Sequence, residues 1–236
     1  MKLFTYATAT DVASALIERL VQLMDENKQK DFHIAFSGGS TPALMFDLWA
    51  NDYKDVTDWS RLNIYWVDER CVAPEDSDSN YGLMKKLLLD RVPLSENQIF
   101  RMRGEDDPSL EAKRYTEVTL ENMPHSKGYP VFDVVLLGAG DDGHTSSIFP
   151  GQEELLIAPE PFLNSVNPNN GQNRIAMTGQ TITQAKLVVF LITGENKAEV
   201  VADIYSSGDT GPAAYVAHHA TYVELFIDEQ AAQKLD

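Results

Sequence analysis

A chain of 236 residues with 43% hydrophobic and 23% charged residues is long enough to bury a full core and lies far from the composition of disordered chains. Its 36 Asp and Glu outweigh 19 Lys and Arg for a formal charge of −17, and so acidic a surface repels phosphate backbones, which argues against a nucleic-acid partner. No apolar run approaches the roughly 20 residues of a membrane span, Met1 to Thr5 lead into no signal-peptide core, and the single Cys71 offers no disulfide framework or paired-cysteine metal site, so the chain reads as cytoplasmic with no membrane partner.

The elements follow in alternation. From Asp11 to Met24, Val12, Ala15, Leu16, Leu20 and Met24 recur at helical spacing on one face. His33–Phe36 is a short apolar run that reads as a buried strand, and Pro42–Trp49 returns to helical spacing. Leu62–Val67 is a second strand, followed by helices over Tyr81–Leu89 and Ser109–Leu120. Phe132–Leu137 is a third strand. Gly151–Asn173, rich in Pro, Asn and Gln, reads as a long active-site loop. Arg174–Met177, Leu187–Ile192 and Tyr222–Ile227 complete the strands, with a helix over Glu195–Tyr205. With no repeat or linker, this alternation predicts one α/β domain built on a mostly parallel sheet with helices on both faces. Ligands of such sheets collect at the carboxyl ends of the strands.

The first such end carries Ser37-Gly38-Gly39-Ser40-Thr41-Pro42. Its glycines admit close backbone approach, Ser40 or Thr41 is placed to cap the next helix, and Pro42 suits the first turn. A helix entered this way presents free N–H groups to a phosphate. A tight, well-capped turn would explain the same residues, and no Gly-Lys-Ser/Thr follows to make a nucleotide loop. The second end delivers Asp68-Glu69-Arg70. Such a run is ordinarily solvated, but at a strand end a carboxylate is able to orient an imidazole or a sugar hydroxyl, and Arg70 to grip an anion in a fork. Ser79 or Asn80 then caps a helix. Cys71 reads as a bystander.

The third end, Gly138-Ala139-Gly140-Asp141-Asp142-Gly143-His144-Thr145, has the spacing of a dinucleotide fingerprint and lacks its context. No strand with an acidic end follows at the required distance, and Asp141 and Asp142 would repel a pyrophosphate. His144 is the candidate general base, although a lone histidine is more often structural. Backbone N–H groups between Gly138 and Gly143 are candidate oxyanion donors. Neither a zinc-ligand spacing nor a Gly-x-Ser-x-Gly elbow occurs. Lys197, in a first helical turn, opposes the helix dipole unless an anion binds there; a solvated surface lysine is the plain alternative.

Together these stretches resemble the 6-phosphogluconolactonase family, with the glucosamine-6-phosphate deaminases as near relatives. The resemblance runs from Phe36–Pro42 through Val67–Val72, Asp78–Tyr81, Gly138–Gly151, Thr193–Ala198 and Gly211–Ala214, and the histidine-bearing stretch is its most specific part. It implies a modified Rossmann-like sheet and hydrolysis of 6-phosphoglucono-1,5-lactone to 6-phosphogluconate in the oxidative pentose phosphate route, with no cofactor or metal, in a monomer or homodimer. It implies His144 as acid/base with Asp68 as a nearby carboxylate. It further implies a substrate- and phosphate-binding set of Ser37, Gly38, Gly39, Ser40, Thr41, Arg70, Asn80, Gly140, Asp142, Arg174 and Lys197. The deaminases carry a glutamate just before the proline and glycine of the histidine stretch. Phe149 stands there instead, which favours the lactonase over a deaminase or other phosphosugar isomerase, and the retained His144 and Asp68 argue against the other rival, a non-catalytic phosphosugar sensor.

Overall fold

The computed structural model describes residues 1–26, 31–206, 208 and 210–235. In chain order the elements are β1 (Lys2–Tyr6), α1 (Ala9–Glu26), β2 (Phe32–Phe36), α2 (Ser40–Asp52), β3 (Leu62–Trp66), β4 (Asp68–Arg70), α3 (Asn80–Leu87) and β5 (Ile99–Phe100). They continue with α4 (Pro108–Asn122), β6 (His125–Ser126), β7 (Tyr129–Pro130), β8 (Val134–Leu137), α5 (Glu154–Ile157), β9 (Phe162–Val166) and β10 (Asn173–Met177). The last are α6 (Gly179–Thr183), β11 (Val188–Ile192), α7 (Ala198–Tyr205), α8 (Pro212–His219) and β12 (Val223–Asp228).

Seven strands form a parallel sheet in the order β1-β12-β11-β8-β2-β3-β5. From β2 the chain winds outward to β3 and β5, then returns to the other side of β2 for β8, β11 and β12. Right-handed crossovers in opposite directions place their helices on opposite faces. The contacts agree, since α1, α2 and α3 pack in series and α5, α6, α7 and α8 form a separate packed group. The direction reverses between β2 and β8. Strands β2, β8, β11 and β12 are buried along their whole length, which is why they read as unbroken apolar runs.

Helix α1 begins three residues before its apolar stripe, at Ala9 rather than Val12, because Thr8 and Asp11 cap it reciprocally. The Thr8 amide and hydroxyl donate to the Asp11 carboxylate, and the Thr8 hydroxyl accepts the Asp11 amide. Burying Val12, Leu16, Ile17, Leu20 and Met24 against the sheet contributes about 1.5–3 kcal/mol apiece.

Two expectations change. The strand at Arg174 lies outside the main sheet, in a three-stranded antiparallel sheet of order β4-β10-β9. Val67 joins the two sheets: its N–H donates to Phe36 of β2 and its carbonyl accepts from Met177 of β10. The Gly151–Asn173 stretch is also no bare loop, because it holds α5 and β9. Among the described residues no helix is long and apolar enough to cross a membrane.

Candidate active site

A cavity of about 300 Å³ opens at the carboxyl ends of β2 and β8, where the strand order reverses. The turn after β2 brings Ser37, Gly38 and Gly39 to it, β4 brings Asp68 and Arg70, and α3 brings Asn80. Gly140 and His144 follow β8, Arg174 comes from β10, and Lys197 stands just before α7. Ser40 and Thr41 line a smaller adjoining cavity with Lys197. They do not cap α2. Gly39 holds the cap position without a side-chain bond, so the N-terminus of α2 keeps free donors.

His144 is held by its own loop. Its Nδ1 lies 2.6 Å from Asp142 Oδ1, and its amide donates to the same oxygen at 3.2 Å. Burial pushes the Asp142 carboxyl up, but the His144 amide and ring more than offset this, leaving it below its ordinary value. The carboxylate therefore keeps the proton on Nδ1 and leaves Nε2 as the acceptor, with no hydrogen-bond partner among the described residues. Phe149 lies against the ring, centroids 4.7 Å apart. A Cβ on Gly140 would come within 2.1 Å of His144 Nδ1, so this glycine is required by the histidine. Asp142 thus meets the imidazole rather than the open cavity. Asp68 has a different partner set: it accepts from Ser147 Oγ at 2.6 Å and from Asn80 Nδ2 at 3.4 Å, with no bond to His144.

The wall opposite is cationic. Arg70 and Arg174 face each other across the β4–β10 register, and in both the Nε is buried without a hydrogen-bond partner. Arg70 spends one Nη donor on the Asp78 carbonyl at 2.7 Å. Arg174 is 7% exposed, and its side chain makes no hydrogen bond or ion pair among the described residues. Burial, then the neighbouring Arg70 charge, holds its pKa below the usual value. Two like charges directly across a strand pair are destabilising unless an anion joins them. Ser37 Oγ, also buried and unpartnered, adds a donor.

Asn80 buttresses this wall. Ser79 caps α3, accepting from the Gly82 amide, and Asn80 Nδ2 donates to the Asp68 carbonyl at 2.9 Å. A Cβ on Gly38 would fall 1.8 Å from Asn80 Oδ1, so the phosphate-type turn and the start of α3 are interlocked. The Glu69 carboxylate, 2% exposed, accepts the amides of Arg70, Asn80 and Tyr81 and the Ser79 hydroxyl. Burial still raises its pKa. Lys197 has partners of its own, the Ala139 carbonyl at 2.9 Å and Asp141 at 2.5 Å. The hydrogen bond from Lys197 lowers the Asp141 pKa.

Of the candidate oxyanion donors, two are taken: Gly140 N–H donates to His144 and Gly143 N–H to Gly140. Ser146, Ser147 and Asn167 also line the cavity. Ser146 has a left-handed φ of 54°, which costs a non-glycine about 1–2 kcal/mol. Its hydroxyl bonds the Val67 and Met177 carbonyls at the seam between the sheets. Nothing in residue type signals that conformation. Cys71 is an onlooker, its thiol pushed up to about 11 by burial.

Fold and pocket define a doubly wound α/β protein whose histidine–carboxylate pair shares a switch-point cavity with two arginines whose Nε groups are unpartnered among the described residues. The chain belongs to the family of glucosamine-6-phosphate isomerases and 6-phosphogluconolactonases, whose family model matches residues 7–225. It is 37% identical over 210 residues to the 6-phosphogluconolactonase of Treponema pallidum, covering 88% of this chain and 86% of that one. It is 37% identical over 244 residues to that of Aggregatibacter actinomycetemcomitans, covering 100% of both. Among solved structures it superposes on devB protein with a TM-score of 0.94 at 35% identity, covering 100% and 99% of the two chains. On the 6-phosphogluconolactonase of Trypanosoma brucei the TM-score is 0.87 at 27% identity, covering 100% and 98%.

Proposed function

We propose that this chain hydrolyses 6-phosphoglucono-1,5-lactone to 6-phosphogluconate, with His144 as the base that activates water. The observation that carries the reading is the pairing of His144 Nδ1 with Asp142 at 2.6 Å, which leaves Nε2 free in a cavity walled by Arg70 and Arg174. The buried, unpartnered Nε groups of both arginines call for a multivalent oxyanion, and a sugar phosphate supplies one in a chain otherwise strongly acidic. Lys197 and the free N-terminus of α2 extend the same positive field toward the substrate.

With the phosphate held, C1 of the lactone lies within reach of His144. Water adds its oxygen to C1 and passes one proton to Nε2, and the imidazolium is stabilised by the Asp142 carboxylate. The C1–ring oxygen bond then breaks, and the ring oxygen takes that proton back from Nε2. Phe149 packs on the imidazole where a second carboxylate would serve a ring-opening isomerase, so water attack is the favoured chemistry. The substrate is a dianion that does not cross bilayers, which fits a cytoplasmic enzyme; we take it to work as a monomer or homodimer.

Arg174→Ala tests the anion end. The KM for the phosphorylated lactone rises about tenfold or more, the weight of a charge-assisted hydrogen bond, with a smaller change in kcat. An unchanged KM removes Arg174 from substrate binding.

A further inference from the structure

We infer that Asp228, at the carboxyl end of β12, is a positioning residue that sets the preference for a phosphorylated substrate by holding the turn that carries Lys197. The inference rests on Lys197 binding phosphate, as proposed above. Asp228 is 4% exposed and pairs with no cation among the described residues. Its partners are backbone amides: Gly194 N–H at 3.0 and 3.1 Å to its two carboxylate oxygens, and Ala231 N–H at 2.8 Å. A buried carboxylate satisfied by amides alone is costly to desolvate, and here both of its oxygens are engaged by Gly194, on the turn that leaves β11, while Ala231 lies in the turn after β12 itself.

From that turn a continuous chain of bonds reaches the pocket. Gly194 has a φ of 100°, a conformation open to glycine, and its carbonyl accepts the Lys197 N–H at 3.0 Å. Lys197 Nζ then bonds the Ala139 carbonyl in the loop that leads to His144. One residue before Gly194, Thr193 Oγ1 meets Thr41 Oγ1 at 3.1 Å, tying the same turn to the N-terminus of α2. The Asp228 carboxylate therefore fixes Lys197 relative to both the histidine loop and the free helix end. An asparagine there keeps one oxygen but turns an NH2 group toward the Gly194 N–H that both carboxylate oxygens share, so the turn is pushed away and Lys197 loses its register.

The test measures hydrolysis of the phosphorylated lactone and of unphosphorylated glucono-1,5-lactone by the native protein, Lys197→Ala, Asp228→Asn and the double variant. The expected result is an Asp228→Asn protein whose kcat/KM ratio between the two lactones falls about tenfold, mainly through KM, and a double variant no worse than Lys197→Ala alone. Full discrimination by Asp228→Asn, or losses that add in the double variant, overturns the inference. Gly194→Ala moves the same turn with Asp228 in place, gives the same loss of discrimination, and serves if Asp228→Asn does not fold. Discrimination that survives Lys197→Ala points to failure of the phosphate role of Lys197, whereas discrimination lost only in Lys197→Ala points to failure of the Asp228 role alone.

Discussion

The short contact between His144 and Asp142 concentrates the chemistry in two side chains two residues apart. His144→Ala lowers kcat for lactone hydrolysis by about 10²–10⁴-fold while the fold persists, since the ring is on the cavity wall rather than in the core. Retained kcat would remove it as the base. Asp142→Asn is the sharper variant. An amide donating to Nδ1 would move the ring proton to Nε2 and spoil the base, so kcat falls about 10²-fold or more with little change in KM. Because the Asp142 pKa is depressed on folding, the stabilisation of its loop is present above the ordinary value of 3.8 and is lost as pH falls through the lower folded value. The same sign applies to Asp141 beside Lys197. At this scale the sequence marked His144 and Arg70 by their places at strand ends, and Arg174 only through the family resemblance. The resemblance set Asp68 beside His144 and Asp142 among the substrate-binding residues, whereas in the fold Asp142 meets the imidazole and Asp68 pairs with Ser147 and Asn80, because residue type alone does not tell which carboxylate a folded loop turns toward its histidine.

At the scale of elements, the interlock between the turn after β2 and the start of α3 is the part most open to test. Gly38→Ala drives a methyl into Asn80 and costs about 1–3 kcal/mol of stability, the range for overpacking. The penalty shrinks in an Asn80→Ala background, measurable as non-additive urea midpoints; equal penalties in both backgrounds would show that the two residues do not meet. Buried strands such as β8 and β11 were legible because both faces are covered. Strand β1 was not, as it lies at the sheet edge beside β12 and mixes exposed with half-buried residues, none of them fully buried. Strand β9, likewise at an edge, sits among the prolines and asparagines that read as a loop. Asp68–Arg70 read as a charged turn because nothing local announces pairing with β10, some hundred residues on. That long-range pairing brings Arg70 opposite Arg174, so the cationic wall was visible as residues and invisible as a wall.

Across the whole molecule, two buried groups pull the pH dependence of stability in opposite directions. His33, 6% exposed in β2, has its pKa lowered by burial below the ordinary 6.5. The unfolded chain therefore takes up the proton first, and stability is lost as pH falls from 6.5 toward the folded value. Glu69, raised by burial, contributes the reverse, with stability lost as pH rises from 4.5 through its folded value. A His33→Gln protein shows a flatter fall in urea midpoint below pH 6.5 than the native chain; an identical slope would mean that His33 is not the titrating group.

The most direct measurement generates 6-phosphoglucono-1,5-lactone from glucose 6-phosphate with glucose-6-phosphate dehydrogenase and follows its loss with and without this protein, each in the presence and in the absence of EDTA. Loss many times faster than the spontaneous rate, and the same with or without EDTA, is the expected result. Loss at the spontaneous rate, from a folded protein that still binds 6-phosphogluconate, would contradict the lactonase reading and leave a phosphosugar site without a hydrolase.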